Sequence, residues 1–357
     1  GLEIKPASQM RVGLPGSVVT HTLRVRHLGQ RGVTDSVHLT LDGASWPTQL
    51  SAPALSLAPC ASTTVVVSVT VPSTAGWNTS DVVSVTARSA VSPTLIETAV
   101  FTTKAPAPIL LVDDDRWYDQ EDKYRLALAD AGFPYDDWRT SWIYRGPGEG
   151  PLALDVLQRY PIVVWFTAYD WYAPVTADEE AMLGAYLDGG GRLFLSSQDF
   201  LYYHHDDSFS LNYLGVITYT EDVTPTLAQG VPEDPVGDRL DPYPLSYPFR
   251  NWSDAVVPAP GAAVPFRDQG RRPIAVARQE LDRRTLFFSF PFETLPEEGR
   301  GEVIERAVGW LSWLGRSTFT ADRTAVSGGG TLTYTLVVRN DGPETVSASL
   351  SNTLPLS

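Results

Sequence analysis

The sequence predicts a multidomain chain. An all-β sandwich should occupy residues 1–104, a doubly wound α/β domain residues 105–317, and the opening strands of a second, incomplete β-sandwich residues 318–357. Three observations carry this. Period-two hydrophobic alternation dominates the first hundred residues. Short, wholly apolar runs then alternate with helix-period stretches. The last forty residues repeat the beginning.

In the first segment, 18–26 (VVTHTLRVR), 37–41 (VHLTL), 63–71 (TTVVVSVTV) and 81–87 (DVVSVTA) alternate apolar and polar side chains, as strands with one buried face do. Pro15-Gly16, Asp42-Gly43 and Pro72-Ser73 separate them with turn chemistry. Short strands at this spacing make a sandwich. Trp46 and Trp77 are expected to plug its core or its ends.

Residues 104–108 (KAPAP) form a stiff joint, and the pattern then changes. The runs 109–112 (ILLV), 161–166 (PIVVWF) and 193–195 (LFL) are continuous and apolar, as in strands buried on both faces. Later come 274–277 and 285–290, then a helix from about 300 to 314. Leu126, Ala127 and Ala129 lie in a helix stopped near Gly132. Thr176 to Glu179 is a capping-box pattern opening another helix, with Ala181, Met182, Ala185, Tyr186 and Leu187 at helical spacing. Gly189-Gly190-Gly191 stops that helix, since glycine takes the left-handed C′ conformation without steric cost. Strands alternating with helices make a doubly wound sheet. Residues 200–270 show weak periodicity and are expected to elaborate one face of it.

The C-terminal stretch 332–342 aligns without a gap on 19–29, with a constant offset of 333 − 20 = 313 that reaches Leu41/Leu354. It reads as the start of a second sandwich. Two strands cannot close a core, so this segment is expected to join other copies of the chain, or a neighbouring β-sandwich domain, by strand addition, with filaments as one outcome.

Composition bounds the function. The chain has 357 residues, 43% of them hydrophobic, and a net charge of −15. Nucleic acid and anionic membrane both require positive potential, so neither is an expected partner. No apolar run is long enough to span a bilayer. A single cysteine, Cys60, rules out internal disulfides and thiolate metal clusters. The chain begins at Gly1 without a signal peptide, as a processed protein or a fragment would. Scarce lysine, with Thr, Ser, Val and Pro enriched at both ends, points to an extracellular or cell-surface protein. Two glycosylation sequons, at Asn78 and Asn251, read as incidental.

Several acids follow the ends of predicted parallel strands: Asp113, Asp114, Asp115, Asp170 and Asp199. In an open α/β sheet this is where ligands bind. Clustered carboxylates could hold calcium, with Asp113, Asp115 and Asp199 as the metal candidates, although no loop template fits. The plainer reading is that they cap helices. Tyr169, Trp171, Tyr172, Tyr202 and Tyr203 crowd the same edge, and with Gln198 they could meet a glycan or simply roof the sheet.

Five stretches carry a resemblance: 109–115 (ILLVDDD), 160–166, 186–199 (YLDGGGRLFLSSQD), 212–216 (NYLGV) and 288–293 (FSFPFE). In this order they resemble the class I glutamine-amidotransferase-like domains that secreted bacterial proteins, often subtilisin-type proteases, carry as accessory modules. The likeness covers roughly residues 107–315 and implies a flavodoxin-like or amidotransferase-like sheet. The two ends resemble immunoglobulin-like repeats of bacterial surface proteins. A working member of that family has a cysteine on the elbow after the central strand and a His-Pro-Glu run after a late strand. Here the elbow carries Ser196 and Ser197, and the late run reads Phe290-Pro291-Phe292-Glu293. Glu293 matches the orienting acid, while Pro291 and Phe292 stand where the imidazole belongs. Nucleophile, base and orienter are all needed. The resemblance therefore implies a degenerate site and no enzymatic activity. The leading reading is a structural or adhesive module. Serine hydrolysis through Ser197 or Ser196, with His204 or His205 as a substitute base, is one alternative; carbohydrate or calcium binding is another.

Overall fold

The computed structural model describes residues 1–29, 32–140, 151–280, 283–312, 318–321, 331, 333–338 and 340. Contacts divide the chain into two units, 1–108 and 109–357.

Among its described residues the first unit holds nine strands: β1 (Leu2–Lys5), β2 (Ser8–Val12), β3 (Val18–His27), β4 (Asp35–Asp42), β5 (Thr48–Leu50), β6 (Ala54–Leu57), β7 (Ser62–Thr70), β8 (Ser80–Ser89) and β9 (Ile96–Lys104). They form two sheets, ordered β1-β3-β7-β5 and β2-β9-β8-β4-β6. Leu23, Val25, Val65 and Val67 of one sheet meet Val37, Val85, Ala87 and Phe101 of the other in a dry core. Each comes from the inward set of an alternating strand, so the period-two pattern is the cause of the sandwich. Trp46 packs against this core as expected. Trp77 does not: it is 55% exposed, because it lies in the connection between β7 and β8, outside the alternating strands. The unit also runs past the expected boundary at residue 104, because Ala105 is buried against Val19 and Val71.

The second unit is built on a six-stranded sheet. Its strands are β10 (Ile109–Asp113), β11 (Tyr135–Arg139), β12 (Ile162–Ala168), β13 (Arg192–Ser197), β19 (Ala275–Glu280) and β20 (Arg283–Phe288), in the order β11-β10-β12-β13-β20-β19. All neighbours are parallel except the edge pair β19–β20. Alternate strand residues enter two cores. Leu111, Val164, Phe166, Phe194 and Phe288 pack under helices α1 (Glu121–Asp130) and α5 (Glu297–Leu311). Leu110, Val163, Trp165, Leu195 and Phe287 pack under α2 (Leu154–Leu157), α3 (Ala177–Asp188) and α4 (Phe200–His204). Helices therefore cover both faces, which is why the central strands carry continuous apolar runs, Ile109–Val112, Ile162–Phe166 and Leu193–Leu195.

The α3–β13 turn follows the sequence closely. Thr176 and Glu179 form the reciprocal capping box. The chain then turns at Gly190, at φ +86°, a conformation that favours glycine. Gly191 is fixed by packing instead, since a Cβ there would lie 2.4 Å from the Tyr186 ring.

Between β13 and β19 runs the weakly periodic stretch. It contains α4, a π-helical turn (Ser210–Leu214) and five short strands: β14 (Val216–Thr220), β15 (Leu227–Gly230), β16 (Tyr243–Pro244), β17 (Ala255–Pro258) and β18 (Phe266–Arg267). They pair as β14–β17 and as β16-β15-β18. At the C-terminus β21 (Thr318–Ala321) and β22 (Tyr334–Val337) pair antiparallel. Apart from Thr333, Val338 and Asn340, the rest of the sequence repeat there, including Leu332 and Leu354, lies outside the described residues, and residues 318–357 are not divided from the second unit. Among the described residues no helix is long and apolar enough to cross a membrane.

Candidate functional site

Four adjacent parallel strands end on one edge, and their terminal residues make the site. β10 delivers Asp113, Asp114 and Asp115, β12 delivers Thr167, Tyr169 and Asp170, β13 delivers Ser196 to Asp199, and the turn after β20 delivers Phe290 to Glu293.

The two elbow serines point apart because successive side chains alternate. Ser197 Oγ accepts from the buried Thr167 hydroxyl at 2.6 Å. The register shift between Phe166 and Ala168 in the β12–β13 ladder lies beside that contact. Ala168 itself has φ +49°, a strained value for a residue with a side chain. Ser196 Oγ donates to the Phe290 carbonyl at 3.3 Å and accepts the Phe292 amide at 2.9 Å. Both serines are fully buried.

On the Ser196 side the turn after β20 places the Phe292 ring. Phe292 packs against Tyr124, with ring centroids 4.9 Å apart, and edge-on to Phe194 at 5.8 Å. Glu293 is buried behind it and accepts from the Tyr124 hydroxyl at 2.8 Å. Its other oxygen, Oε1, is buried without a hydrogen-bond partner. Burial pushes this carboxyl up to about 7, outweighing the Lys123 and Arg300 charges that pull it down. Tyr124 belongs to this group but was not legible in the sequence, where it is one apolar position of α1.

Both histidines near the elbow turn their ring nitrogens to other groups. His204 uses Nδ1 toward Asp207 at 2.7 Å and Nε2 toward the Val175 carbonyl at 2.8 Å. His205 Nδ1 lies against the Leu201 carbonyl at 3.0 Å and Nε2 is 3.2 Å from Asp206. Among the described residues neither serine hydroxyl is hydrogen-bonded to a histidine. Cys60, exposed, belongs to the other unit.

The acids divide by face. Asp113, Asp115 and Glu121 place one ligand atom each within 4.8 Å of one another, and Asp199 is not in that group. Asp115 Oδ2 also accepts the Gln120 amide at 2.7 Å, as a carboxylate beside a helix N-terminus does. Asp114 points to the opposite face and accepts from Thr140 at 2.8 Å and from the Trp165 indole at 3.2 Å. Burial, reinforced by Glu179, raises its pKa well above the carboxylate range. Asp170 pairs with Arg116 at 2.6 Å, both side chains buried. Even so, desolvation outweighs the ion pair and raises Asp170. Asp199 is pushed up by burial to about 7 and Asp254 to about 8.

A cavity of about 540 Å³ opens on this second face, lined by Asp114, Arg116, Asp170, Tyr172, Glu179 and Met182 among others. Tyr172 lies under the Arg116 guanidinium at 4.7 Å. Trp171, Tyr172, Tyr202 and Tyr203 are all about half exposed, and Trp171 meets Trp252 edge-on at 6.3 Å. Tyr169 is different: it is 1% exposed and packs on Tyr118 and Phe249, so it is part of the core and not of the rim. Gln198 is likewise 1% exposed, donating to the Arg250 carbonyl at 3.4 Å and accepting the Trp252 amide at 3.3 Å.

No family model matches the chain, and no curated protein sequence does. Solved structures give partial likenesses. The PapD-like domain 7 of human CEP192 is 16% identical over 29% of this chain and 82% of its own, with a TM-score of 0.24. An exo-β-1,4-mannosidase from Opitutaceae bacterium strain TAV5 is 14% identical over 57% of this chain, with a TM-score of 0.38, and the match spans only 35% of the mannosidase. A ThuA-like protein of Bacteroides uniformis is 11% identical over 57% of this chain and 90% of its own, with a TM-score of 0.36. At these scores the likenesses assign no function.

Proposed function

We propose that the chain is a non-enzymatic extracellular module with a structural or adhesive role, whose α/β unit keeps a degenerate amidotransferase-like site. The observation that carries this is the setting of Ser196 and Ser197. Their hydrogen bonds go to Thr167, the Phe290 carbonyl, the Phe292 amide and Tyr124, none of them a histidine, and both histidines of the unit are engaged elsewhere. A serine hydroxyl is a weak nucleophile until a base takes its proton. Phe292 supplies a ring but no proton acceptor at the position where the resemblance puts the histidine. Glutaminase and esterase assays should give rates at the buffer level, and Ser197→Ala should change nothing; a measurable activity lost in that variant contradicts the reading.

Glycan binding is favoured as a second reading by one observation: half-exposed Tyr172 lines a cavity edged by Asp170 and Arg116, and its neighbour Trp171 is also half-exposed. Aromatic faces suit sugar rings and the ion pair suits hydroxyls. Calorimetry with plant and bacterial oligosaccharides tests it, with Trp171→Ala expected to abolish any heat observed. The extracellular placement rests on composition and on the resemblance.

A further inference from the structure

A second cluster lies away from the elbow. Glu180, in the first turn of α3, His204, at the end of α4, and Asp207, just beyond it, bring one carboxylate oxygen, one ring nitrogen and one more carboxylate oxygen within 4.8 Å of one another. Nδ1 of His204 is 2.7 Å from Asp207 Oδ2 and 2.8 Å from Glu180 Oε2. The other ring nitrogen fixes the tautomer. Nε2 faces the Val175 carbonyl at 2.8 Å, and a carbonyl only accepts, so the Nε2 proton is there. In the neutral ring, Nδ1 therefore turns its lone pair toward two carboxylate oxygens.

That arrangement calls for a cation between the three atoms. A proton on Nδ1 would supply one positive charge against two negative ones. A divalent ion balances both carboxylates. The ring is held for the purpose: it is 8% exposed, stacks on Phe200 at 4.6 Å, and donates its remote N–H to a backbone carbonyl, the arrangement that orients histidine ligands in metal sites. Tetrahedral zinc ligands stand about 3.3 Å apart. Glu180 and Asp207 would need to withdraw by roughly half an ångström, within side-chain reach. The Asp207 side chain is 42% exposed, which leaves a path for the ion and a position for water.

We propose that Glu180, His204 and Asp207 bind a divalent first-row transition-metal ion, the class that mixed imidazole and carboxylate donors suit. The ion would tie the start of α3 to the end of α4 and has no part in the elbow chemistry.

Calorimetric titration of the intact chain with zinc chloride at neutral pH tests it. One ion per chain at micromolar affinity or tighter is expected, with cobalt giving visible d–d bands at the same stoichiometry. Loss of an outer-shell partner alone weakens such sites by about 10–100-fold, so Glu180→Gln and Asp207→Asn should each weaken binding by at least about tenfold. His205→Ala should leave it unchanged. Should His204→Ala fail to fold, the two acid variants, checked by circular dichroism, carry the test. No binding by the intact chain overturns the proposal. So does zinc binding that survives all three ligand substitutions, which would mark adventitious surface sites, and so does calcium binding in preference to zinc.

Discussion

At the scale of single residues, one substitution pattern decides the reading. In the proposed degenerate site Phe292 stands where the resemblance puts a base, and Glu293 is buried and bonded to Tyr124. A carboxyl raised by burial holds its proton more tightly in the folded state. The stability linked to it is full below the unfolded pKa and is lost as pH rises through the folded one, here about 7. One pKa unit is worth about 1.4 kcal/mol. Glu293→Gln keeps an acceptor for Tyr124 and cannot ionise. It should match the parent chain near pH 4 and exceed it near pH 8 by on the order of 3 kcal/mol. Denaturant unfolding at the two pH values checks this, and a difference that does not change with pH contradicts it. The serines were legible in the sequence because they follow a strand end, whereas Glu293 was named only through the resemblance. Tyr124 was not, because it comes from a different element 169 positions away from Glu293.

At the scale of elements, α3 and its turn show what local sequence can dictate. Thr176 and Glu179 satisfy each other's backbone amides, and the first turn carries Asp178, Glu179 and Glu180 at the positive end of the helix dipole. Thr176→Ala should cost about 0.5–2 kcal/mol, measured by denaturant unfolding; no loss would mean the cap contributes nothing here. The buried strands β10, β12 and β13 were legible for the same reason, since continuous apolar runs have few other uses. β11 was missed because it is an edge strand whose YDDWR sequence has no apolar run. The antiparallel edge pair β19–β20 was read as two more strands without their direction, which hairpin geometry and not hydrophobicity decides. The short strands of 200–270 were missed because none exceeds five residues, too few for a period to register.

At the scale of the whole molecule, the C-terminal strands carry the proposed link to other copies or to neighbouring β-sandwich domains. β22 leaves Tyr334, Leu336 and Val337 between 39% and 52% exposed. Exposed apolar strand surface favours pairing with another sheet edge. The intact chain should therefore increase in mass with concentration in sedimentation experiments, and deletion of 318–357 should return a monomer; a monomer at every concentration in the intact chain removes this mode of assembly. The central claim is that the elbow is not catalytic, and a fluorophosphonate reagent followed by mass spectrometry of the intact protein tests it most directly. Such reagents modify serines activated by a neighbouring base. With Ser196 and Ser197 bonded to Thr167, Phe290 and Phe292, the account predicts an unmodified mass after prolonged exposure. A single adduct that disappears in Ser196→Ala or Ser197→Ala would contradict it.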